Sequence, residues 1–226
     1  MKGVKVTNHF NSSVAKIQND GIDLLSNANS RVSRCFVLTQ DDAMCLKGAA
    51  FSASSPKFGY STDMTNVTFS HNTVYTSCAG AKYGMQARAP MSNAAFLDHY
   101  IVHCRRAIVV EATEGNSPMS NLRFERVYVD EVGPTLDYHP HPIQIDTNCN
   151  AIRNVTVKDV NFQQAAGYKI SGSSPLEGKS SKYNVDGIHF VDIRYAGQPA
   201  ITTAEGGDIE VGKYVTGVTF TATEGL

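Results

Sequence analysis

Three aspartates near the N-terminus could do acid–base chemistry together. One segment reads Gln18-Asn19-Asp20-Gly21-Ile22-Asp23-Leu24, and a second reads Gln40-Asp41-Asp42-Ala43-Met44-Cys45-Leu46-Lys47-Gly48. Aligning Ile22 with Met44 offsets the two by 22 residues. That sets Asp20 beneath Asp42, with Asp41 beside them. If the offset is one turn of a β-solenoid, neighbouring strands about 4.8 Å apart gather three carboxyls on one patch. Like charges this close raise at least one pKa, leaving one acid protonated while another stays ionised. Cleaving a glycosidic bond needs that division: one carboxylic acid protonates the leaving oxygen and a carboxylate activates water. Asp is also common at tight corners, so an Asp-Asp pair alone says little. A third Asp one turn away is harder to dismiss. Lys47, just beyond the pair, neutralises Asp41 or caps the strand.

The elements that would position these residues form a repeat. Met64-Thr65-Asn66-Val67-Thr68-Phe69 recurs as Met91-Ser92-Asn93-Ala94-Ala95-Phe96 and as Met119-Ser120-Asn121-Leu122-Arg123-Phe124. Looser copies end at Val157, Phe190 and Phe220, giving steps of 27, 28, 33, 33 and 30 residues. Apolar residues alternate within each unit, the period of a short half-buried strand. A second strand follows (Val74; Ile101; Val127 and Val129). A third opens at Gly21-Ile22, Ala43-Met44, Gly84-Met85 and Ala107-Ile108. Three short strands per turn predict an all-β fold, a single right-handed parallel β-helix over residues 1–226 with about seven or eight coils. Asn and Gly at the corners suit left-handed backbone. An antiparallel sandwich would want Asn-Gly or Asp-Gly hairpins, which are scarce. Insertions at 49–63, 132–142 and 172–183 are expected as loops projecting from one side.

Bulk properties narrow the partners. The chain has 226 residues, a net charge of −1 and no Lys/Arg run, so nucleic acid and anionic membranes are not expected partners. Nothing approaches the ~20 apolar residues of a membrane span, and no apolar leader follows Met1. Five cysteines (Cys35, Cys45, Cys78, Cys104, Cys149) form no Cys-x-x-Cys pair and read as buried thiols. His139 and His141 lack a well-spaced carboxylate for metal binding. No metal or other cofactor is expected. Sequons at Asn11, Asn66 and Asn154 are discounted, since two of them are the repeat's own strand entry.

Residues 18–48 resemble the Asn-Thr-Asp-Gly-Ile-Asp and Gly-Asp-Asp-(Cys/Ala)-Ile signatures of glycoside hydrolase family 28, the polygalacturonases. The related dextranase and isopullulanase group, family 49, carries a similar aspartate trio. The resemblance implies an inverting hydrolase acting on a polysaccharide or oligosaccharide outside the cell or in the periplasm. It implies Asp42 as general acid, with Asp20 and Asp41 sharing the base role. It also implies several coils before Asp20, where only 19 residues stand here, so a fragment, a processed product, or a first coil covered by self-association or a partner is expected. The family's Gly-His-Gly turn is replaced by Ala81-Lys82-Tyr83-Gly84-Met85, placing Tyr83 where the His would stand. Its Arg-Ile-Lys strand is replaced by Ala107-Ile108-Val109-Val110-Glu111. A uronic acid thus loses its counter-charges, which shifts the expectation from pectin towards a neutral glucan. Lys82, Arg105 or Arg106, and His141 lie in the same column as candidate substrate-binding residues.

Two other readings stay open. A β-helical lyase or epimerase would need a calcium-binding carboxylate cluster with an arginine base near it. A non-catalytic solenoid (an adhesin, a phage component or a degenerate hydrolase) would bind glycans without cutting them.

Overall fold

The computed structural model describes residues 1–7, 19–48, 63–133, 139–163 and 169–223. Apolar residues at every second position, punctuated by residues in left-handed backbone, wind the chain into stacked rungs. A shorter sheet contains β2 (Ile22–Leu25), β5 (Met44–Gly48), β8 (Ala79–Ala87), β10 (Arg106–Gly115), β12 (His141–Thr147), β14 (Ser174–Gly178) and β16 (Ile209–Val211). These strands pair in that order, every pair parallel. The facing sheet holds β1 (Lys5–Thr7), β3 (Ser30–Ser33), β4 (Phe36–Thr39), β6 (Met64–Ser70), β7 (Thr73–Thr76), β9 (Met91–His103), β11 (Met119–Val129), β13 (Ile152–Phe162), β15 (Val185–Tyr195) and β17 (Val215–Thr221). The chain alternates between the sheets, so each rung rests on the previous one. This is a right-handed parallel β-helix of about six turns, fewer than the repeat count implied.

From β9 onward the two expected strands of the second sheet merge into one long bent strand. Asn93, Asn121 and Asn154 take φ of 51–54° at the first bend, and Asp98, Arg126, Asp159 and Asp192 take 52–55° at the second. Asn tolerates this region better than branched residues, and its amide repays the bend along the stack. Asn121 donates to Asn93 at 3.2 Å and Asn154 to Asn121 at 2.8 Å. The sequon asparagines Asn66 and Asn154 thus belong to the corner; Asn11 lies outside the described residues.

Inside, like residues stack on like. Phe69, Phe96 and Phe124 form a column with centroids 4.5 and 5.5 Å apart, each ring fully buried. Burying one such ring contributes roughly 1.5–3 kcal/mol. Of the expected insertions, 49–62 and 134–138 lie outside the described residues. The segment 172–183 is not all loop, because Ser174-Pro175-Leu176-Glu177 alternates in burial and adds β14 to the shorter sheet. All five cysteines are free thiols, with Cys35, Cys45 and Cys104 buried.

Candidate functional site: a carboxylate face on the shorter sheet

Register in the first two rungs sets the site. Ile22 pairs with Met44, and the Gly21 amide donates to the Asp42 carbonyl at 2.8 Å. Asp20 and Asp42 therefore occupy one column on adjacent rungs, with Asp41 next to them. Glycine is required at position 21, where a Cβ would collide with the Ala43 carbonyl and a Val37 methyl. The third rung departs from the expected alignment. Cys45 pairs with Lys82 and Leu46 with Tyr83, so the strand opens at Ala79-Gly80-Ala81 and not at Gly84-Met85.

That shift of four residues corrects one assignment. Tyr83 points inward, fully buried between Phe96 and Phe124 at 5.0 Å from each, and its hydroxyl donates to the Arg123 carbonyl at 3.2 Å. It is a core residue and cannot touch a ligand on the outer face. Arg106 does fall in the aspartate column, in register with Ala79 and His141. His141 sits three rungs from Asp42, its Nδ1 2.9 Å from the Ser173 carbonyl. Arg105 donates to the Cys78 sulfur at 3.3 Å.

The cations do not stand apart from the acids. Lys82 Nζ lies 2.8 Å from Asp42 and 3.0 Å from Glu111. Arg106 lies 3.6 Å from Asp42 and 3.3 Å from Glu111, and also donates to Gln144 at 3.3 Å. Lys47 bonds Asp20 and, at 2.7 Å, Asp23. Each of the three thus holds two carboxylates. Sequence reasoning passed over Asp23, Glu111 and Asp146 as site residues. Their signal was positional: Glu111 and Asp146 are outward residues at the same rung position, paired strand to strand.

Proton affinities diverge across the face. Burial raises the Asp41 pKa, and the neighbouring Asp42 and Asp20 charges raise it further. Burial also works against ionised Asp42, but Lys82 and Arg106 outweigh it and hold its pKa below the usual value. Asp23 is pushed up to about 7, mainly by burial with help from Asp20 and against Lys47. Asp146 is raised to about 6 by burial and then by Glu111. Of the pair, Asp41 therefore holds its proton more tightly than Asp42. The family resemblance implied Asp42 as the acid; the directions of these two shifts favour Asp41 for that role.

Donor atoms of Asp41, Asp42 and Cys78 lie within 4.8 Å of one another, the spacing of metal ligands. Lys82 and Arg106 already supply positive charge to Asp42, which opposes a further cation there. A calcium site, all hard oxygen ligands, would also not include a thiol. Two surface depressions of about 310 Å³ lie elsewhere, one along the Asn93–Asn121–Asn154 corner and one beside Tyr195 and Asp208. Comparison with protein-family models, curated proteins and solved structures finds no match to this chain.

Proposed function

We propose that the carboxylate face hydrolyses a glycosidic bond, with Asp41 as the acid. One observation supports this above the others: Asp41 and Asp42, with oxygens within 4.8 Å, have proton affinities moved in opposite directions, Asp41 up and Asp42 down. Their closeness bears on the roles. Inverting enzymes separate acid and base by about 6.5–9.5 Å to leave room for water, so Asp41 and Asp42 are too near to be that pair. Asp20, on the neighbouring rung and more exposed than Asp42, is the water-activating carboxylate in this reading. Asp42 acts beneath them, its fixed charge keeping the proton on Asp41.

Asp41 gives its proton to the glycosidic oxygen as the bond from that oxygen to the anomeric carbon breaks. Water attacks the same carbon from the opposite side and passes a proton to Asp20. Two shorter sugars leave, and the configuration at the anomeric carbon inverts. The test is reducing-sugar release from a panel of glycans by the wild type, Asp41→Asn and Asp20→Asn. Loss of about 10²–10⁴-fold in each variant is expected for a general acid or base. Equal rates in wild type and variants, or no release from any glycan, would defeat the reading.

Glycan binding without cleavage is the second reading. The near-complete burial of Asp42 favours it, because that withdraws one of the three aspartates from substrate contact.

A further inference from the structure

The second of the two depressions, about 310 Å³ in volume, lies at the C-terminal end of the solenoid, away from the aspartates of the first two rungs. Pro142, Ile170 and Tyr195 line it, together with a single 3-10 turn, Glu205–Gly207, and Asp208 just after that turn. Tyr195 ends its column. It pairs with Phe162, whose ring stacks on it at 4.7 Å and 10°, and among the described residues no ring covers its other face. The Tyr195 hydroxyl oxygen has no exposed surface, so what this half-buried side chain presents to a ligand is ring and not hydroxyl.

Charge in the depression has one sign. Glu205 and Asp208 are both exposed, and among the described residues neither is in an ion pair. No Lys, Arg or His lines the depression. Asp208 stands close enough to the phenol for its charge to add to burial in pushing the Tyr195 pKa up to about 12. An anion would meet like charge there, whereas a cation is attracted both by the carboxylates and by the quadrupole of an aromatic face. A primary ammonium is strongly hydrated and needs acceptors for three N–H bonds. A quaternary ammonium has no N–H to satisfy, and its methyl groups can pack on proline, isoleucine and ring. Small-molecule sites run from roughly 300 to 1,000 Å³, so this volume suits a compact ion.

We propose that this depression binds a quaternary ammonium ion, its methyl groups against Tyr195, Pro142 and Ile170 and its charge balanced by Glu205 and Asp208. The site is independent of the carboxylate face and of whether that face cuts a glycan. The full chain is titrated with choline and with neohexyl alcohol, which has carbon in place of the charged nitrogen, at constant ionic strength. NMR shifts of the Ala196, Gly206 and Gly207 amides report binding at the site itself. Choline should saturate those shifts in the millimolar range, at least tenfold more tightly than the alcohol. Glu205→Gln combined with Asp208→Asn changes only exposed side chains, and should weaken choline several-fold while leaving the alcohol as it was. Tyr195→Leu, checked for folding by circular dichroism, should also weaken choline; if it does not fold, the acid variant decides. Equal binding of the alcohol, unchanged choline affinity in the acid variant, or no saturable shift with choline overturns the proposal. Phosphatidylcholine vesicles separate the sources of the cation. Co-sedimentation that choline competes away assigns a lipid headgroup, and choline binding without co-sedimentation assigns a free solute.

Discussion

Lys82→Met tests whether the clamp on Asp42 is a buried interaction. Methionine keeps most of the volume and removes the ammonium 2.8 Å from Asp42 and 3.0 Å from Glu111. Asp42 is left with Arg106 at 3.6 Å. Breaking a buried pair from one side costs about 3–5 kcal/mol, and the remaining arginine argues for the lower end, about 3 kcal/mol. In a chain of this size that is a fall of roughly 6–12 °C in Tm. The deficit should depend on pH. Asp42 in the wild type has a pKa below 3.8, so the stability it contributes is complete above that value and lost only in stronger acid. In the variant, burial without Lys82 lifts the same pKa above 3.8. The native variant then takes up a proton before the unfolded chain does, and the gap to wild type closes as pH falls from 7 towards 4. Urea denaturation followed by circular dichroism at both pH values measures it. A deficit under ~1 kcal/mol at pH 7, the worth of an exposed pair, would refute the buried clamp. So would an equal deficit at both pH values.

Three more outcomes follow from named residues. His99 is fully buried in the core with no well-formed hydrogen bond to either ring nitrogen, and burial pushes its pKa down to about 4. The unfolded chain therefore protonates first, costing about 3 kcal/mol of stability between pH 7 and 4; that loss should be absent in His99→Leu, as measured by Tm against pH. Asn121 holds φ 54° between Asn93 and Asn154, so Asn121→Ala should lose about 1–2 kcal/mol and Asn121→Gly less, read from urea midpoints. If Asp41 is the acid, hydrolysis should slow as pH rises through its raised pKa, and Asp41→Asn should lack that alkaline limb in a pH–rate profile.

The repeat was legible because its signals are redundant. Met64, Met91 and Met119, the asparagines two residues later and the phenylalanines three beyond all recur together, and the structure stacks each set in register. Register in the first two rungs was legible for the same reason: Gly21-Ile22 and Ala43-Met44 are alike. The third rung was not. Its opening strand, Ala79-Gly80-Ala81, is made of small residues that carry no apolar signal, and Met85 four residues on mimicked the opener. That slip turned Tyr83 outward on paper while the aromatic column holds it inside. Lys82 keeps its place near Asp42 because a long side chain can cross a rung diagonally. Ion pairs such as Lys82–Glu111 depend on rung-to-rung distances that no spacing along the chain encodes.

Stacking rewards identical neighbours when they are apolar or amide-bearing and penalises them when they are charged. The aspartate column responds by changing character, from Asp20 and Asp42 through Ala79 to Arg106 and His141. Asp41 is the member this logic does not excuse. Its carboxyl sits beside Asp42, half-buried, with a raised pKa, so ionising it at neutral pH disfavours the native state. Asn fits the same corner, and its Oδ1 can still accept the Asp42 amide that Asp41 accepts at 2.9 Å. Asp41→Asn should therefore gain stability at pH 7, roughly 0.5–2 kcal/mol, and gain nothing below pH 3.8, where wild type is protonated in both states. A gain in Tm coupled to lost reaction or altered binding would mark Asp41 as kept for chemistry at the fold's expense. A loss in Tm at pH 7 would mean that Asp41 is a structural corner residue and that the acid must be sought elsewhere on the face.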